Sequence, residues 1–246
     1  MVRLSVNVNK IATLRNSRGG RVPSVIEAVE VSIAAGAPGI TIHPRADQRH
    51  ITPTDVRDIA RVVRAHRPRV ELNIEGDPRP DLIDLVREVE PDQCTLVPVV
   101  PGEITSQTGW RSDAGATLAR CIPGLRTAGI RVSLFVDALP DSVRWAARVG
   151  ADRVELYTEP YARASEAGPE AELRAFQPFV EAARTAHEVG LGVNAGHDLD
   201  LHNLVTFRRL PHLDEVSIGH AIVSRAVFVG LSTVVREYLS VLREGR

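Results

Sequence analysis

His43, Glu75, Glu155, His197 and His220 are the side chains of this sequence best suited to moving protons, and each falls at or beside a short apolar run. Imidazole titrates near neutral pH and burial can raise a glutamate towards the same range, so the set suits repeated general acid/base transfer. The run Gly39-Ile-Thr-Ile breaks at His43-Pro44 into Arg-Ala-Asp-Gln-Arg-His50. Proline cannot donate to a sheet ladder, so a strand should stop there and leave an imidazole at its carboxyl end with guanidinium groups behind it. Asn7 closes an earlier run of the same kind. Three histidines and a glutamate could also ligate zinc, which leaves a metal-dependent hydrolase or lyase acting on a phosphorylated metabolite as a second reading. Against it, neither His-x-His nor H-E-x-x-H spacing occurs. A non-catalytic barrel that binds a phosphorylated metabolite is a third.

The elements that must hold these groups recur along the chain. Strand-like runs are expected at 4–8, 39–43, 70–74, 93–97, 130–136, 153–157, 191–194 and 215–218, with helical stretches between them. The clearest helix is 81–90, where Leu82, Leu85, Val86 and Val89 share one face. Gly36, Gly129, Gly150 and Gly190 each precede a strand, as left-handed helix caps would. Eight strands alternating with helices in a chain of this length suit a (β/α)8 TIM barrel as a single domain over 1–246. A doubly wound open sheet would favour an early glycine-rich nucleotide turn, and no G-x-G-x-x-G occurs. Connections 99–113 and 158–169 are longer than a barrel needs and are expected as extended loops, or extra helices, on the strand-end face. Parity places Glu155 inward within its strand. Asn194-Ala-Gly-His197 and Ser217-Ile-Gly-His220 end the last two strands, where barrels commonly seat phosphate against backbone N–H groups.

Composition narrows the partners. With 43% hydrophobic and 25% charged residues the chain has material for a large core, and its well-mixed charges sum to -1. No basic block or long apolar span appears, so neither nucleic acid nor membrane is an expected partner. Cys94 and Cys121 lie in apolar segments and are expected as reduced core residues. No signal-peptide pattern opens the chain, so a cytoplasmic location is expected.

Five blocks, in order, carry a family resemblance: Val6-Asn-Val-Asn-Lys-Ile-Ala-Thr-Leu-Arg-Asn-Ser-Arg-Gly19, Ile40-Thr-Ile-His-Pro-Arg-Ala-Asp-Gln-Arg-His-Ile51, Asn73-Ile-Glu-Gly76, Asn194-Ala-Gly-His197 and Ile218-Gly-His220-Ala. Together they resemble the pyridoxine 5′-phosphate synthase family. The resemblance implies a barrel enzyme without cofactor or metal. It would join 1-deoxy-D-xylulose 5-phosphate to 3-amino-2-oxopropyl phosphate, forming the pyridine ring of vitamin B6 with loss of phosphate and water. It also implies a homo-octamer built from dimers. By the same resemblance His43 and Glu75 are acid/base residues, His197 a proton donor, and Glu155 a stabiliser of charged intermediates. Asn7, Arg18, Gly219 and His220 would hold the amino-ketone phosphate, and Arg45, His50 and Thr105 the deoxyxylulose phosphate. Asn9-Lys10 and Asp198 depart from the Asp-His and glycine of many members. They are expected to remain binding residues, with Lys10 able to hold phosphate as a point charge.

Overall fold

The computed structural model describes residues 1–99 and 106–243. Strands β1 (Arg3–Asn7), β2 (Gly39–Ile42), β3 (Glu71–Gly76), β4 (Gln93–Leu96), β5 (Arg131–Val136), β6 (Arg153–Tyr157), β7 (Gly192–Gly196) and β8 (Leu213–Ile218) run parallel and close into one barrel in sequence order. β1 pairs with both β2 and β8, which seals it. The fold is thus the expected α/β TIM barrel, and the open sheet is excluded.

Strand parity divides the barrel into two chemically distinct faces. Leu4, Val6, Ile40, Ile42, Leu72, Ile74, Leu134, Val154 and Val216 belong to the buried apolar cluster. They alternate with Ser5, Thr41, Asn73, Thr95, Ser133, Glu155 and Ser217, which are buried and polar. A barrel interior is ordinarily filled by branched aliphatic side chains. Here those side chains are on the outside of the strands, against the helices, and the interior is hydrogen-bonded instead. Ser5 Oγ lies 2.6 Å from Thr41 Oγ1, Asn73 donates to Thr41 at 3.4 Å, and Thr95 donates to Asn73 at 3.0 Å. Nearer the amino-terminal end, Arg131 bridges Gln93 at 2.9 Å and Glu71 at 2.5 Å, while Arg153 donates to Asn194 at 2.8 Å. Leaving such a buried polar group unpaired costs about 1–3 kcal/mol, and in this lining Ser133 Oγ is left without a partner.

The helices start and stop where their termini can be satisfied. Pro53–Arg64 opens on a reciprocal capping box between Thr52 and Asp55, and Arg15 holds the Asp55 carboxylate at 2.6 and 2.8 Å. The helix expected at 81–90 runs Pro80–Val89, because Pro80 takes its first turn and Glu90 turns left-handed at φ 47° to end it. Gly36, Gly129, Gly150 and Gly190 all carry positive φ, as their place before strands required. Cys94 and Cys121 are both buried and unbridged.

The two long connections resolve differently. Most of 158–169 is a helix, Glu159–Glu166, rather than an extended loop. Tyr161 holds it down, fully buried with its hydroxyl at 2.6 Å from Glu172 Oε1 and 2.7 Å from the Asn203 carbonyl. The segment 99–113 lies partly outside the described residues. Its second half is loop up to Ser112–Ala114, and Gly109 passes so close to β5 that a Cβ there would meet the Asp137 nitrogen at 2.4 Å. Among the described residues no helix is long and apolar enough to cross a membrane.

The layer between strands and helices should dominate stability. Ile74 is fully buried in it, so Ile74→Ala is expected to lower the unfolding free energy by about 2–5 kcal/mol. Denaturant titration checks this, and a midpoint shift worth under about 1 kcal/mol would contradict the packed-layer assignment.

Candidate active site

The carboxyl ends of the strands surround a cavity of about 300 Å³. Every described candidate named from the sequence borders it except Arg18. Arg18 is exposed, in the turn that follows the helix Asn9–Asn16, and Thr105 lies outside the described residues.

His43 leaves β2 directly before Pro44, and its position is fixed by its neighbours. The Asn9 side chain accepts from the His43 backbone N–H at 2.9 Å, while the Asn7 side chain accepts from the Asn9 N–H at 3.0 Å. Arg79 donates to the Pro44 carbonyl and to Asp77, both at 2.5 Å, tying the loop after β2 to the loop after β3. Across that tie, His43 Nδ1 stands 3.8 Å from Glu75 Oε2, close enough for coupling and too far for a direct hydrogen bond. Burial holds the His43 imidazole well below its usual range, and the positive groups of His50, Arg45 and Arg79 push it the same way. Burial likewise raises the Glu75 carboxyl well above the carboxylate range, with Glu155 adding repulsion. Both shifts favour the uncharged forms, an imidazole able to accept a proton and a carboxyl able to give one.

Glu155 comes from β6 and faces inward, as parity required. It is pushed up to about 8 by burial and by the nearby Glu215 carboxyl. Its Oε1 lies against β7 so tightly that a Cβ on Gly196 would sit 2.5 Å away, which only glycine avoids. Oε2 of Glu155 and Nε2 of His43 are both buried without a hydrogen-bond partner. Two unsatisfied polar atoms bordering one cavity mark where a polar ligand would bind.

His197 and Asp198 both adopt left-handed backbone, at φ 82° and 57°. Consecutive non-glycine residues there are costly, so the turn must be held from outside. Thr158 does this by donating to the carbonyls of Gly196, at 2.6 Å, and His197, and Asn203 donates to the Asp198 carbonyl at 3.1 Å. The His197 ring sits between Phe135 and Tyr157, with centroids 5.1 and 5.4 Å away. Burial lowers its proton affinity, while Asp198 opposes that effect.

Cationic and N–H-rich features flank this centre on two sides. On one side are Lys10, the buried Arg45, and His50. His50 accepts from the Ile51 N–H through Nδ1 at 3.0 Å, which leaves its Nε2 as donor when neutral. It is drawn down to about 4 by burial and then by Arg45. On the other side the helix His220–Val229 begins at Gly219, where a Cβ would meet the Asn7 carbonyl at 2.9 Å. Exposed N–H groups at such a helix start favour anions. Among the described residues no three His, Cys, Asp or Glu side chains converge as a metal cage.

Several functional neighbours were not singled out from the sequence. Ser217 lines the cavity together with Glu75, and Phe135 walls in His197. Both lie inside strands that read as core, and only their parity, in step with Gly219 and Ser133, signals an inward position. Arg79 looked like an ordinary residue before a helix.

The family described as "Pyridoxal phosphate biosynthesis protein PdxJ" matches residues 4–244. A pyridoxine 5′-phosphate synthase of Bacteroides thetaiotaomicron is 52% identical over 245 residues, covering 99% of this chain and all of that protein. A protein of the same name from Leptospira biflexa is 46% identical, covering 100% of this chain and 98% of its own length. Among solved structures, 3-hexulose-6-phosphate synthase from Salmonella typhimurium matches with TM-score 0.63 at 14% identity and full coverage of both chains. Phosphoribosyl anthranilate isomerase from Thermus thermophilus matches with TM-score 0.60 at 17% identity, again over the whole of both chains. At those identities the likeness is one of fold.

The buried Glu155 generates a test of stability against pH. Its folded value, about 8, lies above that of an unfolded carboxyl. Its contribution to stability is therefore complete below the unfolded value and is lost as pH rises through the folded one. Glu155→Gln should melt progressively higher than the parent as pH is raised from about 5 to about 9. A melting difference that stays constant with pH would contradict a protonated Glu155.

Proposed function

This chain belongs to the PdxJ family of pyridoxal phosphate biosynthesis proteins, and we propose that its barrel mouth is the active site of a pyridoxine 5′-phosphate synthase. The substrates are 1-deoxy-D-xylulose 5-phosphate and 3-amino-2-oxopropyl phosphate, and the products pyridoxine 5′-phosphate, phosphate and water. The observation that carries the reading is the buried His43–Glu75 pair, 3.8 Å apart in a cavity flanked by cationic groups on one side and a helix start on the other.

The chemistry fits those groups. An amine must condense with a ketone, C–H and O–H protons must move in both directions, and one phosphate must leave. A neutral His43 takes the first protons, and a protonated Glu75 returns them to departing oxygen. His197, held in its aromatic slot, is the donor on the β7 side. Glu155 lies beneath the reacting atoms, where the iminium-type charge that the condensation creates lowers its proton affinity, so that it gives up its proton and balances that charge as a carboxylate. Arg45, His50, Asn9 and Lys10 hold the deoxyxylulose phosphate, with the guanidinium supplying a fork of donors. Asn7, Gly219 and His220 hold the amino-ketone phosphate at the helix start. Asp198 borders the same space and offsets the positive charge of Lys10 next to His197.

Family membership also supports a homo-oligomer, and Phe228 and Val227, 86% and 73% exposed at the end of one helix, are the kind of apolar surface a second copy would cover. Light scattering at micromolar concentration is expected to show a mass several times that of one chain.

Incubating the purified protein with both phosphorylated substrates is expected to yield pyridoxine 5′-phosphate and inorganic phosphate. No product at micromolar enzyme would overturn the reading. Glu75→Gln should lower kcat by a factor of about 10² or more, as is typical for general acid/base groups. Lys10→Met should raise KM for the deoxyxylulose phosphate about tenfold, which is about 1.4 kcal/mol of lost binding, with less effect on kcat.

A further inference from the structure

The inward residues at the carboxyl ends of the strands are divided chemically. From β8 round to β3 the cavity is bordered by Gly219, Asn7, His43 and Glu75, which offer polar side chains or bare backbone. From β4 to β6 the inward positions are Val97, Phe135 and Tyr157, each two residues beyond a buried polar residue of the lining, Thr95, Ser133 or Glu155. These three form a buried apolar cluster of their own, separate from the layer between strands and helices. Val97 and Phe135 border the cavity, and Tyr157 completes the cluster with its ring 5.4 Å from that of Phe135. Leu199, Ile218 and Ala221 also border the cavity, but all three pack into the strand–helix layer.

Backbone hydrogen bonds fix this wall. The Val97 N–H donates to the Gly76 carbonyl at 2.9 Å, and the Trp110 N–H donates to the Phe135 carbonyl at 2.9 Å. The Trp110 indole N–H reaches the Leu96 carbonyl at 2.8 Å, beside Val97. A wall anchored in this way keeps its shape, and an apolar surface inside a polar cavity is best covered by an apolar group of the ligand. The two proposed substrates contain one such group. Every carbon of 3-amino-2-oxopropyl phosphate carries nitrogen or oxygen, and so does every carbon of 1-deoxy-D-xylulose 5-phosphate except its C1 methyl.

We propose that Val97 and Phe135 are specificity-determining residues of the sugar site, forming a subsite for the methyl group of the deoxy sugar. The inference rests on the synthase reading for the identity of that sugar. With its methyl on this wall and its phosphate on the β2 side at Arg45 and His50, the sugar is held at both ends. The ketone carbon bonded to the methyl then lies next to His197, whose ring centroid is 5.1 Å from that of Phe135. A hydroxyl added at C1 would face Val97 and Phe135, neither of which can return a hydrogen bond from its side chain. The site therefore selects the 1-deoxy sugar against the sugar phosphate that differs only by an oxygen at C1.

The test is calorimetric binding of 1-deoxy-D-xylulose 5-phosphate and of D-xylulose 5-phosphate to the full chain, without the amino ketone. The parent is expected to bind the deoxy sugar about 10- to 100-fold more tightly, the range an apolar pocket reaches against an added hydroxyl. Val97→Thr keeps the side-chain shape, adds a hydroxyl and should reduce that ratio about tenfold. A merely structural disturbance would weaken both sugars alike, and an unmoved ratio in Val97→Thr overturns the inference. Equal binding of the two sugars by the parent also overturns it, and leaves the synthase reading intact where product forms. Preference for the deoxy sugar in a parent that forms no product supports the methyl subsite and counts against the synthase reading alone. Failure to bind either sugar overturns both. The parent comparison uses no substitution, so it decides the matter even where Val97→Thr does not fold.

Discussion

A carboxyl removed from water cannot keep its charge without a partner, and this barrel buries Glu75, Glu155 and Glu215 inside one ring of strands. Two of the usual remedies are missing around the upper pair. Among the described residues no guanidinium forms an ion pair with Glu75 or Glu155, and the strand side chains around them, Ser217 and Thr95 among them, are neutral. What remains is protonation. The neutral acids at the mouth follow from the absence of counter-charge in the interior, and the rest of the site is arranged around them.

That constraint explains why the barrel is turned inside out chemically. Aliphatic filling would leave a protonated glutamate with no hydrogen-bond neighbours at all. The belt of Ser5, Thr41, Asn73 and Thr95 provides a polar but uncharged lining instead. Apolar burial is then supplied by the outer faces of the same strands, where Leu4, Ile40, Leu72 and Val216 pack against helices. The arginines stay at the amino-terminal end, with Glu71 and Gln93 to satisfy them. Had Arg131 or Arg153 reached the level of Glu155, it would have held that carboxyl ionised.

The fold was legible because both signals it needs are local. Alternating apolar residues mark each strand, and a glycine cap such as Gly150 marks each return from a helix. Whether 158–169 was loop or extra helix stayed open because Pro160 and the small residues Ala162, Ala164 and Ser165 give Glu159–Glu166 little apolar periodicity. Its stability comes from Tyr161, whose partners Glu172 and Asn203 are distant in sequence. The site divided in the same way. His43 and His197 stood out because strand ends are punctuated by Pro44 and Gly196. Arg79 did not, since its contacts to Pro44 and Asp77 exist only once β2 and β3 are side by side. Arg18 matched a sequence block, and it stands exposed in the turn after Asn9–Asn16, outside the cavity lining.

The positive groups at the mouth have an effect besides the anion binding proposed for them. Burial lowers the proton affinity of His43, and the neighbouring imidazoles, Arg45 and Arg79 act in the same direction. On the proposed reading, an anion seated on Arg45 would cancel part of that field and raise the proton affinity of His43. The imidazole would thereby move towards neutral pH when a substrate is present. Glu75 responds with the same sign, because added negative charge makes its proton harder to remove. His43 and Glu75 stand 3.8 Å apart, so an anion that shifts one would shift the other, and the two proton affinities would rise together.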